Sequence, residues 1–175
     1  MALDIVVQSL QRVELFTGLK PRQVAEIARQ ADRIVYRPGQ PIITEGEPGD
    51  AAVLLVKGDA VRFFGATPQT PGEAVPDGAL VGELAMLIET VHTSTVVARN
   101  MTRAIRITRE GLRELMDEDP VVALILSNNL ARRLTDVAQE LRTIDAALSR
   151  AGAMRPLPPV TYSLPMLTHE EMRLN

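Results

Sequence analysis

The stretch Val81-Gly82-Glu83-Leu84-Ala85-Met86-Leu87, with Thr93-Ser94-Thr95 a few residues on, decides how this sequence is read. A glycine and an acid stand before a short apolar, helix-like turn, and a hydroxyl cluster then opens a strand. The first N–H groups of a helical turn are unpaired and sit at the positive end of its dipole, which suits a phosphate. Glycine lets a ligand come close to the backbone. A carboxylate beside it can accept hydrogen bonds from a sugar hydroxyl, as the acid does in dinucleotide folds. On spacing alone the plainer reading is a β-to-turn corner with a structural glycine.

Outward from this stretch the chain divides into four zones. Short strands are predicted on both sides of it, at Arg33–Tyr36, Ile42–Thr44, Ala51–Val56, Ala60–Phe64, Ser94–Ala98 and Arg103–Ile107. Pro38-Gly39, Glu45-Gly46, Pro48-Gly49, Gly58-Asp59 and the segment Gly72 to Gly78 read as turns. Short strands at regular spacing suggest a sandwich or barrel. Before them, Val6, Leu10 and Val13 recur at helical spacing, and Pro21 sits where a second helix can start, with Val24, Ile27 and Ala28 on one face. After them, Glu110 to Arg150 reads as helical, with Pro120 ending one short helix or starting the long one. From Ala151, the prolines at 156, 158, 159 and 165 predict a tail that is extended or disordered.

Composition narrows the function. With 46% hydrophobic and 23% charged residues the chain reads as soluble and globular. It has no cysteine, which excludes disulfides, thiol catalysis and Cys-based zinc sites. Its two histidines, His92 and His169, are too few for a His-rich metal site, and no nucleophile–base–orienter set is visible, so neither a metal nor an enzyme is expected. A net charge of -3 and 3% aromatics argue against a nucleic-acid partner. The longest apolar runs, Ala51–Val56 and Val121–Leu126, are six residues, far short of the roughly 20 of a membrane span. No signal peptide is read at the N-terminus, so the expected compartment is the cytoplasm.

The sequence resembles the cyclic nucleotide-binding domain family, the sensor module of catabolite activator protein, protein kinase A regulatory subunits and cyclic nucleotide-gated channels. The resemblance runs from about Leu15 to Leu148. It is carried by Leu15-Phe16-Thr17-Gly18-Leu19, Arg37-Pro38-Gly39-Gln40, Glu45-Gly46-Glu47-Pro48-Gly49-Asp50, Gly58, Gly82-Glu83-Leu84-Ala85 and Leu130-Ala131-Arg132-Arg133-Leu134. It implies a mainly β fold with flanking helices: a double-stranded β-helix, or jelly-roll, barrel with N-terminal helices and a long C-terminal helix. Residues 1–150 are then one cyclic nucleotide-binding-like domain including a dimer helix at 120–150, and 151–175 are the tail.

The resemblance also implies a site. Gly82 and Glu83 match positions that hold the ribose 2′-hydroxyl, and the N–H groups of Leu84 and Ala85 match those that cap the cyclic phosphate. Thr93 and Ser94 match phosphate-contacting positions; Thr93 also matches a threonine that contacts guanine in members preferring cGMP. The base-facing positions of the final helix fall near Val137 and Ala138. No cofactor is implied; the ligand is cAMP or cGMP.

Three positions depart from the family pattern. Where the family has a phosphate-pairing arginine, this chain has His92. Arginine offers a planar, permanently charged fork, whereas a neutral imidazole offers one donor and a protonated one, below about pH 6.5, two donors and a charge. Losing a charge-assisted contact costs about 1.5–3 kcal/mol, or about one to two decades of affinity. The plainer reading of His92 is a surface residue on a cassette that no longer binds. Ser94 stands where alanine is favoured, and Val53 where an aromatic is common.

In the last helix Leu130, Leu134, Val137, Leu141, Ile144 and Leu148 alternate spacings of four and three, a heptad seam. It reads as a homodimer helix or as a stripe packed on its own barrel, since periods of 3.5 and 3.6 barely diverge over this length. Arg99, Arg103, Arg106, Arg109 and Arg113 read as a solvated face, and Asp117-Glu118-Asp119 as a helix junction. Only 27 residues follow Leu148, too few for a helix-turn-helix domain. The expectation is a regulatory sensor module acting through an unknown partner protein. The alternative is a non-binding relative that serves as a dimerisation or docking scaffold.

Overall fold

A computed structural model of the chain describes residues 3–65 and 72–150. The first zone is two helices, α1 (Leu3–Gln11) and α2 (Pro21–Gln30). α1 buries Val6 and Leu10, one turn apart, and α2 buries Val24, Ile27 and Ala28. Pro21 opens α2, where its missing N–H is no loss. Gln23 closes that opening turn: its Oε1 accepts from Lys20 N at 2.8 Å, while its Nε2 donates to Asp119 Oδ2 at 2.7 Å. Asp119 Oδ1 accepts from Val121 N at 3.1 Å, so the buried Gln23 ties the start of α2 to the start of the long helix.

Among the described residues ten strands follow: β1 (Asp32–Tyr36), β2 (Pro41–Ile43), β3 (Pro48–Gly49), β4 (Ala51–Lys57), β5 (Ala60–Phe63), β6 (Glu73–Val75), β7 (Leu80–Val81), β8 (Thr90–Val91), β9 (Thr95–Ala98) and β10 (Thr102–Thr108). Every pairing is antiparallel. β1 pairs with β10, β2 with β9, β3 with β8 and β4 with β7. The strands going out are met in reverse order by the strands coming back, which is one long hairpin coiled into a double-stranded β-helix. β10 with β4, and β5 with β6 and β9, complete two four-stranded sheets, ordered β1-β10-β4-β7 and β2-β9-β5-β6.

Two cores flank the first sheet. Val53 and Leu55 of β4 point into the barrel with Tyr36, Ala60, Val81, Val96 and Ala104. Ala52 and Leu54, on the other face of the same strand, join Ile105 and Ile107 of β10 beneath α1, α2 and later helices. A strand buried on both faces has no polar side to display, which is why Ala51–Val56 is an unbroken apolar run rather than an alternation. Val53, the position where an aromatic is common, fills the barrel interior at 3% exposure.

Four strands, β3, β6, β7 and β8, were not expected. They are two or three residues long, too short to carry a period-2 signal, and β3 and β6 lie within segments read as turns. At β3 the glycine is a packing requirement. A Cβ on Gly49 would lie 2.5 Å from Ala85 Cβ and 2.8 Å from His92 Cε1, so β3 can approach the Gly82–Ala85 stretch only without a side chain.

α3 (Arg109–Glu118) starts on Thr108, whose Oγ1 accepts from Gly111 N at 3.1 Å, and α4 (Pro120–Arg150) starts on Pro120. Of the arginine run, Arg99 pairs with Asp59, Arg106 with Asp32 and Asp50, and Arg113 with Asp117, so much of that face is charge-paired at the surface.

The chain divides into two compact units, Met1–Leu134 and Thr135–Asn175. In the first, Leu130 packs against the helix-side core, and Leu134 is exposed. In the second, the described residues are helix, and Val137, Leu141, Ile144 and Leu148 are 47%, 61%, 54% and 44% exposed. The expected tail, with His169, lies outside the described residues.

Candidate functional site

The site begins where β7 ends. Val81 is buried, and Gly82 turns the chain with φ 68° and ψ 26°, a left-handed conformation that favours glycine. A short 3-10 turn, Glu83–Met86, follows. Ala85 and Met86 anchor it by burial while Leu84 faces outward, so the turn presents Gly82, Glu83 and Leu84 to one side. Ala85 N donates to Gly82 O at 2.9 Å. One of the two backbone donors expected for a phosphate is therefore already used inside the turn.

β8 then carries the chain back along β3 to His92, whose N donates to Glu47 O at 2.9 Å and whose O accepts from Gly46 N at 2.8 Å. Its ring lies against the two glycines: a Cβ on Gly82 would be 3.1 Å from His92 Cε1. Thr93 is exposed and Ser94 is buried at 6% exposure. Thr95 Oγ1 accepts from Glu45 N at 3.0 Å, which fixes the start of β9 beside the turn.

All seven cassette positions read from sequence, namely Gly82, Glu83, Leu84, Ala85, His92, Thr93 and Ser94, line one cavity of about 280 Å³. That is close to the lower end, about 300 Å³, of small-molecule pockets. Val137 and Ala138 stand on the exposed helix of the second unit.

Two charged residues of the cavity were not read as site residues from sequence. Arg62 comes from β5 and Arg133 from α4. Arg133 Nη1 donates to Glu83 Oε2 at 2.7 Å, with the Glu83 side chain only 21% exposed. Burial pushes the Glu83 carboxyl above its ordinary pKa. The charges of Arg133 and then Arg62 oppose that rise, and Glu14 adds to it. Arg62 had a signal: it follows Ala60 at strand period, and Ala60 is fully buried, so a charge there sits on the barrel-facing register. Arg133 stands in the Leu130–Leu134 motif but was not read as a site residue, because its partner is 50 residues away in sequence.

The cavity thus offers an anion two guanidiniums, an imidazole and the hydroxyls of Thr93 and Ser94, and offers a hydroxyl-bearing group one carboxylate. Among the described residues no group of three or more His, Asp or Glu could hold a metal ion, and no helix is long and apolar enough to cross a membrane.

Residues 33–119 match the model of the cyclic nucleotide-binding domain. A cAMP-dependent protein kinase regulatory subunit from Aspergillus niger is 36% identical over 107 residues, 61% of this chain and 26% of that protein. A cyclic AMP receptor protein from Thermus thermophilus is 34% identical over 131 residues, 73% of this chain and 60% of that protein. The solved structure of a cyclic nucleotide-binding-like protein from Brucella abortus is 30% identical, with a TM-score of 0.59, covering 64% of this chain and 97% of that one. The chain spans about 26% of the kinase subunit and 60% of the receptor protein.

Proposed function

This chain belongs to the cyclic nucleotide-binding domain family, and from that we propose that it is a cytoplasmic, non-catalytic sensor module that binds cAMP or cGMP and signals through a partner protein. The observation that carries the reading is the gathering of Gly82, Glu83, Leu84, Ala85, His92, Thr93 and Ser94 around one cavity. In this reading Glu83 accepts from the ribose 2′-hydroxyl, with Gly82 giving the sugar access to the backbone. The phosphate lies over the turn at Leu84 and Ala85, beside His92, Thr93 and Ser94. The Thr93 hydroxyl, exposed at the mouth, is the group that would favour guanine. The exposed seam from Leu134 to Leu148 joins two copies.

The other reading, a scaffold that has lost its ligand, has its own support. His92 replaces the expected arginine, and Glu83 is already occupied by Arg133. Calorimetric titration with cAMP separates the two readings. In the sensor reading Glu83→Ala weakens binding about tenfold or more, the loss of a hydrogen bond to a charged group. An unchanged dissociation constant in a folded variant would remove Glu83 from the ribose.

A further inference from the structure

The chain carries a net charge of -3, but one edge of the barrel is basic. β1 ends the first sheet: β10 pairs with one of its edges, and among the described residues no strand pairs with the other. An edge strand leaves a row of backbone N–H and C=O groups with no ladder to join. Ile34 and Tyr36 of β1 turn toward the barrel core, so the alternation of a strand puts Arg33 and Val35 on the opposite face. Both are exposed, Val35 at 56%.

Cross-strand register extends this surface. Val35 stands opposite Arg103 of β10, and Arg103 stands opposite Lys57 of β4. Arg33 is opposite Ile105, two residues along from Arg103, which makes the two arginines diagonal neighbours on one face. Arg37 and Met101 follow the last pair of the ladder, Tyr36 with Thr102, and both are exposed, Met101 at 57%. Among the described residues none of Arg33, Arg37, Lys57 and Arg103 has an ion-pair partner. The acids close to them in sequence are already taken, Asp32 by Arg106 and Asp59 by Arg99. Like charges directly opposite each other in a sheet are destabilising, so Arg103 facing Lys57 is a strain that an anion from outside would relieve. Charged side chains on an edge also serve to block unwanted strand pairing. That role accounts for Arg33, but it gives no reason to leave Val35 and Met101 in water among the cations.

We propose that this edge docks an extended acidic segment of a partner protein, which adds a strand to β1. The segment's backbone continues the ladder. Its carboxylates meet Arg33, Arg37, Lys57 and Arg103, and its apolar residues cover Val35 and Met101. The open backbone edge selects a peptide over a nucleic acid, which has no row of amides to offer. None of these six residues lines the cavity built on Gly82 and Glu83, so the docking edge stands independently of any cyclic nucleotide.

Titrating the full chain with a short capped peptide that alternates glutamate and valine, followed by NMR, tests this. The expected result is saturable shift changes at residues 33–37 and 101–103, with slower amide exchange along β1. Affinity should fall as salt rises from about 50 to about 500 mM. Arg33→Glu combined with Arg103→Glu should weaken binding about tenfold or more; if that pair shifts the melting curve, Arg33→Gln with Arg103→Gln should still weaken it. The same peptide methylated at its backbone amides keeps every charge but cannot donate to the edge, and should bind about tenfold more weakly or not at all. No shift changes at β1 up to about a millimolar peptide would overturn the proposal. So would equal binding by a lysine–valine peptide, or binding that the arginine variants leave unchanged. A methylated peptide or a DNA duplex bound as tightly as the acidic peptide would overturn it too, and would make the edge a general polyanion surface.

Discussion

Leu141→Asp is expected to turn a dimer into a monomer. Leu134, Val137, Leu141, Ile144 and Leu148 follow heptad spacing, and each is between 44% and 61% exposed. A run of large apolar side chains left in water is an interface in want of a partner, and the spacing suits a second copy of the same helix. Leu141 is the middle of the five. A carboxylate there would have to be desolvated without a partner, which the seam cannot offset. Taking Leu134 as an a position puts Glu140 and Asp145 at g and e, where a parallel pair brings like charges together; at this exposure the penalty is a few tenths of a kcal/mol. Light scattering at tens of micromolar is the check. The wild type should have twice the chain mass and Leu141→Asp the chain mass itself. A monomeric wild type would contradict the interface.

His92→Arg should tighten cAMP binding by about one to two decades at pH 8, by restoring a charge-assisted phosphate contact. The pH dependence tells more than the magnitude. A protonated imidazole offers the phosphate a charge that the neutral ring lacks, so wild-type affinity should be higher at pH 6 than at pH 8. The arginine variant, charged throughout, should lose that slope. Glu83 adds an opposite limb. Its carboxyl titrates above the ordinary range because it is buried, and its ribose contact needs the ionised form. Affinity should therefore fall again as acid protonates it, and Glu83→Gln should abolish that acid limb. Two further outcomes are informative. Wild-type binding that is tight and flat from pH 6 to pH 8 would mean that Arg133 and the hydroxyls of Thr93 and Ser94 suffice. An arginine variant no tighter than wild type would mean that the ring's place between Gly49 and Gly82 is not on the phosphate.

The parts of the fold legible in sequence are those whose period outlasts their ends. β1, β4, β5, β9 and β10 run four to seven residues and, with the three-residue β2, lie within a residue or so of the expected strands. The helices were legible from Val6, Leu10, Val24 and Ile27 and from the prolines that open α2 and α4. β3, β6, β7 and β8 were hidden because so few residues hold little alternation, β3 and β6 lie among turn residues, and their pairing is a long-range event. The cassette was legible because a contiguous segment, residues 82–94, supplies it. The arginines that complete the cavity were not, since β5 and α4 reach it only through tertiary packing. An arginine in step with Ala60 was the one local hint.

The central claim, that the cavity built on Gly82 and Glu83 binds a cyclic nucleotide, is tested most directly by titrating cAMP, and then cGMP, into the wild-type protein in a calorimeter at about pH 6. The account predicts a saturable isotherm with one nucleotide per chain for at least one of the two. No binding of either, with the protein folded, at pH 6 and again at pH 8, would contradict it and leave the scaffold reading.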